Sequence, residues 1–88
     1  MRIKEDFALR QVAGTWVVLP FGAETANFNG MLKLNESGVL LWKTLEQGAD
    51  RDGLVNVLTA EYAVDIAVAS ADVDAFLNHL RNIGCLAD

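Results

Sequence analysis

The sequence predicts a single α+β domain in which a three-stranded antiparallel sheet is followed by three helices. Two observations support this fold class. Segments with β-strand patterning fill the first third of the 88 residues, and helical spacing with capping residues fills the rest. No linker rich in Pro, Gly or Ser separates the two parts, so residues 1–88 are expected to fold as one unit.

The first two strands are expected to form a hairpin at residues 7–12 and 15–19. The first places its large apolar residues on one face, and the second is rich in β-branched and aromatic residues. Ala13 and Gly14 between them predict a tight turn, because glycine tolerates a positive φ angle. Pro20 lacks a backbone N–H and is expected to end the second strand.

A third strand is expected from Phe28 to Leu34. Its residues alternate in character, which places Leu32 and Leu34 on one face and Lys33 on the other. As the last of three strands, this segment is expected at an edge of the sheet. An edge strand presents unpaired N–H and C=O groups to which a further strand can be added.

Three helices follow, and each is bounded by residues that favour helix ends. They are expected from Glu36 to Gln47, from Arg51 to Tyr62, and between Asp65 and Gly84. Asn35 and Asp50 are suited to cap the first two helices, and Gly48 ends the first. The short link at residues 63–65 predicts that the second and third helices form a helix-turn-helix pair, with the strands as a wing.

The third helix carries an apolar stripe with spacings of three and four residues. Its members are Ala69, Val73, Phe76, Leu77, Leu80 and Ile83. Such a stripe can face the core, or it can supply one wall of a groove beside the third strand. The spacing leaves open which members face the core and which line a groove.

Composition and charge argue against several function classes. The net charge of −5 disfavours a surface that binds phosphates, and therefore disfavours nucleic acid as a partner. The single Cys cannot form an internal disulfide and suits a reducing compartment. Neither a signal peptide nor a membrane-spanning apolar run is seen, so a cytoplasmic protein without a membrane partner is expected.

No pattern of residues indicates catalysis. His79 is the only histidine and has no acidic residue three or four positions before it, so a solvated or structural role is the better interpretation. Cys85 is expected to pack as a small apolar side chain. Asp72 and Asp74 are two positions apart, so a helix directs them to different faces and they cannot chelate one metal ion. We expect no catalytic residue, no metal site and no cofactor.

Three runs of residues, taken together, resemble one known family. They are Leu32-x-Leu34-Asn35-x-x-Gly38-x-x-x-Trp42, Glu61-Tyr62-x-Val64-Asp65 and Asp72-Val73-x-x-Phe76-Leu77-x-x-Leu80-x-x-x-Gly84-x-Leu86. In this order they resemble the centre, the interhelical link and the closing helix of the PqqD family, small proteins of pyrroloquinoline quinone biosynthesis. Relatives of that family are recognition elements for the precursors of ribosomally made, modified peptides.

The resemblance implies a winged helix-turn-helix-like fold and a non-catalytic function. Family members bind the leader segment of a precursor peptide as a strand added between the third strand and the third helix. They deliver it to a modifying enzyme, often a radical SAM protein. The peptide-binding residues implied for this chain are Asn29, Gly30, Met31, Leu32, Lys33, Val73, Phe76, Leu77, Leu80 and Arg81. Lys33 and Arg81 are the cationic members of this set and are suited to acidic leader residues.

Two other function classes stay open at this point. A winged-helix DNA-binding or transcription-accessory protein has the same expected shape. Its reading helix, however, would carry Asp65, Asp72 and Asp74 against only Arg81. A structural subunit would use the same strand edge to form a homodimer.

Overall fold

The computed structural model describes residues 1–20 and 32–87. Its elements are β1 (Arg2–Ile3), β2 (Phe7–Val12), β3 (Thr15–Pro20), β4 (Leu32–Leu34), α1 (Glu36–Glu46), α2 (Arg51–Glu61), α3 (Ile66–Ile83) and β5 (Leu86–Ala87). Strands β2, β3 and β4 form one antiparallel sheet in that order, and β1 pairs antiparallel with β5. The predicted three-stranded sheet followed by three helices is confirmed. The sequence pattern does not predict the two-residue strands β1 and β5.

Strands β2 and β3 form the expected hairpin, in which Val12 is paired with Thr15. Ala13 and Gly14 make the two-residue turn and have positive φ angles of 52° and 81°. Positive φ at both positions matches the turn to the right-handed twist of the strands. Strand β3 extends to Pro20, one residue beyond its expected end.

The observed elements differ from the expected ones mainly at their ends. Helices α1 and α2 each end one residue early, because Gln47 and Tyr62 are C-capping residues. Asp65 immediately precedes α3, but its side chain makes no capping hydrogen bond. Gly84 ends α3 in the left-handed conformation, as its position predicts. Of the expected third strand, residues 28–31 lie outside the described ranges.

The first two helices begin with the expected side-chain caps. Asn35 Oδ1 accepts a hydrogen bond from the Gly38 N–H at 2.9 Å, and Asp50 Oδ1 accepts one from the Gly53 N–H at 2.7 Å. Each bond satisfies a backbone donor that has no partner within the helix. The Asn35 cap also fixes where the chain leaves β4 and enters α1.

One apolar core joins the sheet to the three helices. Val18 of β3, Trp42 of α1, Leu54 of α2 and Leu80 of α3 are completely buried in it. Burial of a large apolar side chain stabilises the fold by roughly 1.5–3 kcal/mol. The core therefore holds α3 in a fixed orientation against α1, α2 and the sheet.

An ion pair joins the first turn of α2 to the middle of α3. Arg51 Nε lies 2.6 Å from Asp74 Oδ1, and Arg51 Nη2 lies 3.0 Å from Asp74 Oδ2. The hydrogen bond from Arg51 lowers the pKa of the Asp74 carboxyl, so that the charged form is favoured. Asp74 therefore faces α2, whereas Asp72 faces the cleft beside β4, as their spacing predicts.

Cys85 follows α3 and is completely buried, as expected for a small apolar side chain. Burial raises the pKa of its thiol to about 12, so the thiol stays protonated and unreactive at neutral pH. The Cys85 C=O accepts a hydrogen bond from the Lys4 N–H at 2.9 Å, next to the pair of β1 and β5. This pairing fastens the segment after α3 to the first residues of the chain.

Replacing Asn35 by Ala is expected to lower the free energy of unfolding by about 1 kcal/mol, because the Gly38 N–H loses its acceptor. Asn35→Asp keeps an acceptor oxygen at the same place and serves as the matched control. Urea unfolding followed by circular dichroism measures both variants. If the Ala and Asp variants are equally stable, the cap does not stabilise α1.

Candidate functional site

The alternation of hydrogen-bonded and non-hydrogen-bonded residue pairs in the sheet determines which backbone groups face its edges. A two-residue turn is closed by a hydrogen bond between its flanking residues, so Val12 and Thr15 form a hydrogen-bonded pair. Hydrogen-bonded and non-hydrogen-bonded pairs alternate along antiparallel strands. Thr15 and Val17 therefore direct their backbone groups to β2, and Trp16 and Val18 direct theirs to β4.

The same alternation makes Lys33 the edge-facing residue of β4. Trp16 pairs with Leu34, and Val18 pairs with Leu32. Leu32 and Leu34 therefore direct their N–H and C=O groups to β3, whereas those of Lys33 point away from β3. In the part of the chain that the structure describes, β4 pairs only with β3, so these groups face an open edge.

The opposite edge of the sheet, along β2, is partly occupied by one of its own side chains. By the same alternation, Leu9 and Gln11 direct their backbone groups outward. The Leu9 C=O accepts a hydrogen bond from Arg10 Nη1 at 2.9 Å, which agrees with the outward direction deduced for the Leu9 backbone groups. Because Arg10 already bonds this outward C=O, a strand added along β2 would have to displace the Arg10 side chain. Strand β4 is therefore the edge better suited to accept one.

A groove of about 610 Å³ lies between β4 and α3. All three residues of β4 line one wall, and the other wall consists of Asp72, Ala75, Phe76 and His79. These four side chains share one face of α3, because they are three or four residues apart. Leu41 and Leu58, which also belong to the core, contribute to the lining.

The structure separates the predicted wall residues of α3 into two groups. Val73, Leu77 and Leu80 are at most 2% exposed and belong to the core. They support the groove from behind and do not line it. Phe76 is half-buried, packs against the core and also lines the groove. The apolar stripe of α3 is therefore mainly a core face, and Phe76 marks its border with the groove.

The remaining predicted site residues have different locations. Leu32 and Lys33 line the groove from the sheet side. Arg81 is exposed and does not line it, and Arg81 Nη2 lies 3.5 Å from Met1 Sδ. Asn29, Gly30 and Met31 lie outside the described residues. The structure thus brings Leu32, Lys33 and Phe76 together at one site.

Sequence reasoning missed three residues on the helical wall of the groove, namely Asp72, Ala75 and His79. Asp72 and His79 are exposed, which agrees with the interpretation of His79 as a solvated histidine. Their spacing from Phe76 of four and three residues is the signal that could have identified them. It indicates the face of α3 next to the apolar stripe.

The groove combines a backbone edge, apolar surface and a few polar side chains, which suits an extended peptide. Within the described residues, no group of His, Cys, Asp or Glu side chains is arranged to hold a metal ion. None of the helices in residues 1–20 and 32–87 is long and apolar enough to cross a membrane.

Comparison with protein families identifies the chain. The model of the family "coenzyme PQQ synthesis protein D (PqqD)" matches residues 15–86, which extend from β3 to β5. The chain belongs to the PqqD family. The resemblance found in the sequence motifs is therefore confirmed. The match to the PqqD family includes both walls of the groove, β4 and α3.

Two solved structures share the fold of this PqqD family member. TbiB1 in complex with the TbiA(beta) leader peptide is 25% identical, with a TM-score of 0.77 and 100% of each chain covered. Lasso peptide synthetase B1 complexed with the leader peptide is 23% identical, with a TM-score of 0.76 and coverage of 99% of this chain and 96% of that one. No curated protein sequence gives a significant match.

Truncation of neighbouring residues on α3 is expected to distinguish the core from the groove wall. Leu77→Ala should lower the free energy of unfolding by about 2–5 kcal/mol, because Leu77 is only 2% exposed. Phe76→Ala should cause a smaller loss, because part of the ring already faces solvent. Urea unfolding measures both. A larger loss for Phe76→Ala than for Leu77→Ala would contradict the placement of Phe76 at the groove.

Proposed function

We propose that the protein binds the leader segment of a ribosomally made precursor peptide as a strand added along β4 and presents it to a modifying enzyme. The observation that carries this proposal is the edge-facing backbone of Lys33 beside an open groove whose other wall is α3. TbiB1, which is 25% identical over its whole length, forms a complex with a leader peptide. A cytoplasmic location is part of the proposal, because precursor peptides are made there by ribosomes.

Binding through the backbone alone is too weak to explain a specific complex. Each main-chain hydrogen bond contributes about 0.5–1.5 kcal/mol, so the two backbone groups of Lys33 contribute about 1–3 kcal/mol. A micromolar dissociation constant corresponds to about −8 kcal/mol, after the entropy cost of association. Leader side chains that enter the groove must supply most of the remaining binding free energy, at roughly 1.5–3 kcal/mol for each large apolar residue. Selectivity therefore lies in the groove side chains.

The proposed contacts follow the geometry of the groove. Leu32, Lys33 and Phe76 contact the leader directly, and the buried residues Val73, Leu77 and Leu80 hold the helical wall in position. Asn29, Gly30 and Met31, which lie outside the described residues, stay leader contacts predicted from the sequence. Arg81 stays a predicted contact for acidic leader residues beyond the groove.

A DNA-binding function is not supported. The face of α3 beside the groove presents Asp72, and the net charge of −5 opposes contact with phosphates. Both similar structures are described as complexes with leader peptides. The proposed function is binding without catalysis. Homodimer formation, and a radical SAM protein as the modifying enzyme, stay predictions.

Lys33→Pro tests strand addition along β4. Proline removes the edge-facing N–H of residue 33 and leaves the bonds from Leu32 and Leu34 to β3 in place. We expect affinity for the leader to fall by about tenfold or more, because a hydrogen bond is lost and the ring obstructs the added strand. Titration calorimetry with the leader of the precursor peptide encoded nearest the gene measures this loss.

Two control variants accompany this test. Lys33→Ala keeps the N–H and removes only the side-chain contact, so its affinity should fall less than that of Lys33→Pro. Gln11→Pro removes the corresponding outward N–H on the β2 edge and should not change binding. If a folded Lys33→Pro variant binds the leader as tightly as Lys33→Ala does, the leader is not added as a strand to β4.

A further inference from the structure

A second cavity of about 410 Å³ lies past the end of β4. The groove and the cavity share Asn35, Ser37, Leu58 and Asp72 in their linings, so they adjoin each other. The second cavity lies where the first turn of α1 approaches the link between α2 and α3. The three residues that follow β4, namely Asn35, Glu36 and Ser37, line this cavity, so a peptide paired with β4 and extended past Leu34 would reach it.

The walls of the second cavity are largely apolar. They include Leu58, Tyr62 and Val64, and Val64 is 39% exposed. Val68, which is 49% exposed, lies one helical turn before Asp72 and therefore on the same face of α3. Core packing does not account for exposed apolar side chains clustered at one end of a groove, and such surface commonly marks a contact site.

The cavity also contains two carboxylates, from Glu36 and Asp72. Within the described ranges, neither forms an ion pair, and neither side chain accepts a hydrogen bond. Asp74 on the same helix differs, because its carboxylate is bound by Arg51. A purely apolar occupant would remove water from the two carboxylates without giving them a partner, and an acidic occupant would be repelled.

We propose that the second cavity binds a Lys or Arg side chain of the leader peptide. The methylene stem of that side chain packs against Leu58, Tyr62 and Val64, and its charged head lies beside Asp72 and Glu36. This inference rests on the proposed function, because it assigns the cavity to a peptide that is already paired with β4. Asp72 and Glu36 are then residues that determine which leader is accepted.

This contact would also fix the register of the leader. Backbone pairing along a strand is nearly the same after a shift of two residues, so it does not define a register by itself. A shift of two residues moves a side chain by about 6.6 Å along the strand. The basic side chain would then lose its place beside Asp72, so the paired leader is held in one register.

Fluorescence anisotropy with the labelled leader of the precursor peptide encoded nearest the gene tests this inference. Asp72→Asn should weaken binding by about fivefold to twentyfold, because a charge pair shielded by the bound peptide is lost. Glu46→Gln changes the net charge equally on an exposed residue of α1 outside both cavities, and it should stay within about twofold of the wild type.

Leader variants complete the experiment. Each Lys or Arg of the leader is replaced in turn by norleucine, which keeps the apolar stem and removes the charge. One of these leader variants should bind the wild-type protein about fivefold to twentyfold more weakly than the unchanged leader does. The same leader variant should bind the wild-type protein and the Asp72→Asn protein equally well, because the charge pair is already lost.

The outcomes distinguish this inference from the proposed function. If the leader binds but Asp72→Asn binds as tightly as Glu46→Gln, the assignment of the second cavity is overturned while leader binding stands. Tight binding of the wild-type protein to a leader that has no Lys or Arg would also overturn the assignment of the second cavity. If the leader does not bind the folded wild type, the proposed function fails and this inference fails with it.

Discussion

The orientation of α3 is the constraint on which the groove depends. Four side chains on one face of this helix are buried in the core, namely Ala69, Val73, Leu77 and Leu80. A second face carries Asp74, which forms an exposed ion pair with Arg51 of α2. The third face, which includes Phe76, is thereby directed at β4. A rotation of one residue, about 100°, would move polar side chains into the core, so the packing permits only this arrangement.

The other wall of the groove is β4, and the alternation of backbone hydrogen bonds across the sheet determines which of its residues faces the edge. The turn at Ala13 and Gly14 sets which residues of β3 bond to β2, and this alternation passes through β3 to β4. Lys33 faces the free edge as a consequence of a turn twenty residues earlier in the chain. The hydrogen bond from Arg10 to the Leu9 C=O partly covers the other edge. Within the described residues, β4 is therefore the less obstructed edge of the sheet, and that edge borders the groove.

Much of the fold follows from local signals in the sequence, whereas the groove follows from tertiary packing. Capping residues such as Asn35 and the apolar periodicity place the helices to within one residue, because both act over a single helical turn. Periodicity does not separate Phe76 from Leu77, since both belong to the same stripe and only packing decides which one reaches solvent. Asp72 and His79 resemble ordinary exposed residues until β4 is placed opposite them. The strands β1 and β5 are too short to show a pattern.

The most direct test of strand addition beside α3 is a titration of the isotope-labelled protein with the leader peptide, followed through its backbone amide NMR signals. We predict that the largest shifts fall on Leu32–Leu34 of β4 and on residues 72–79 of α3, with small changes along β2. Shifts confined to β2, or a folded spectrum that does not change when the leader is added, would contradict the account.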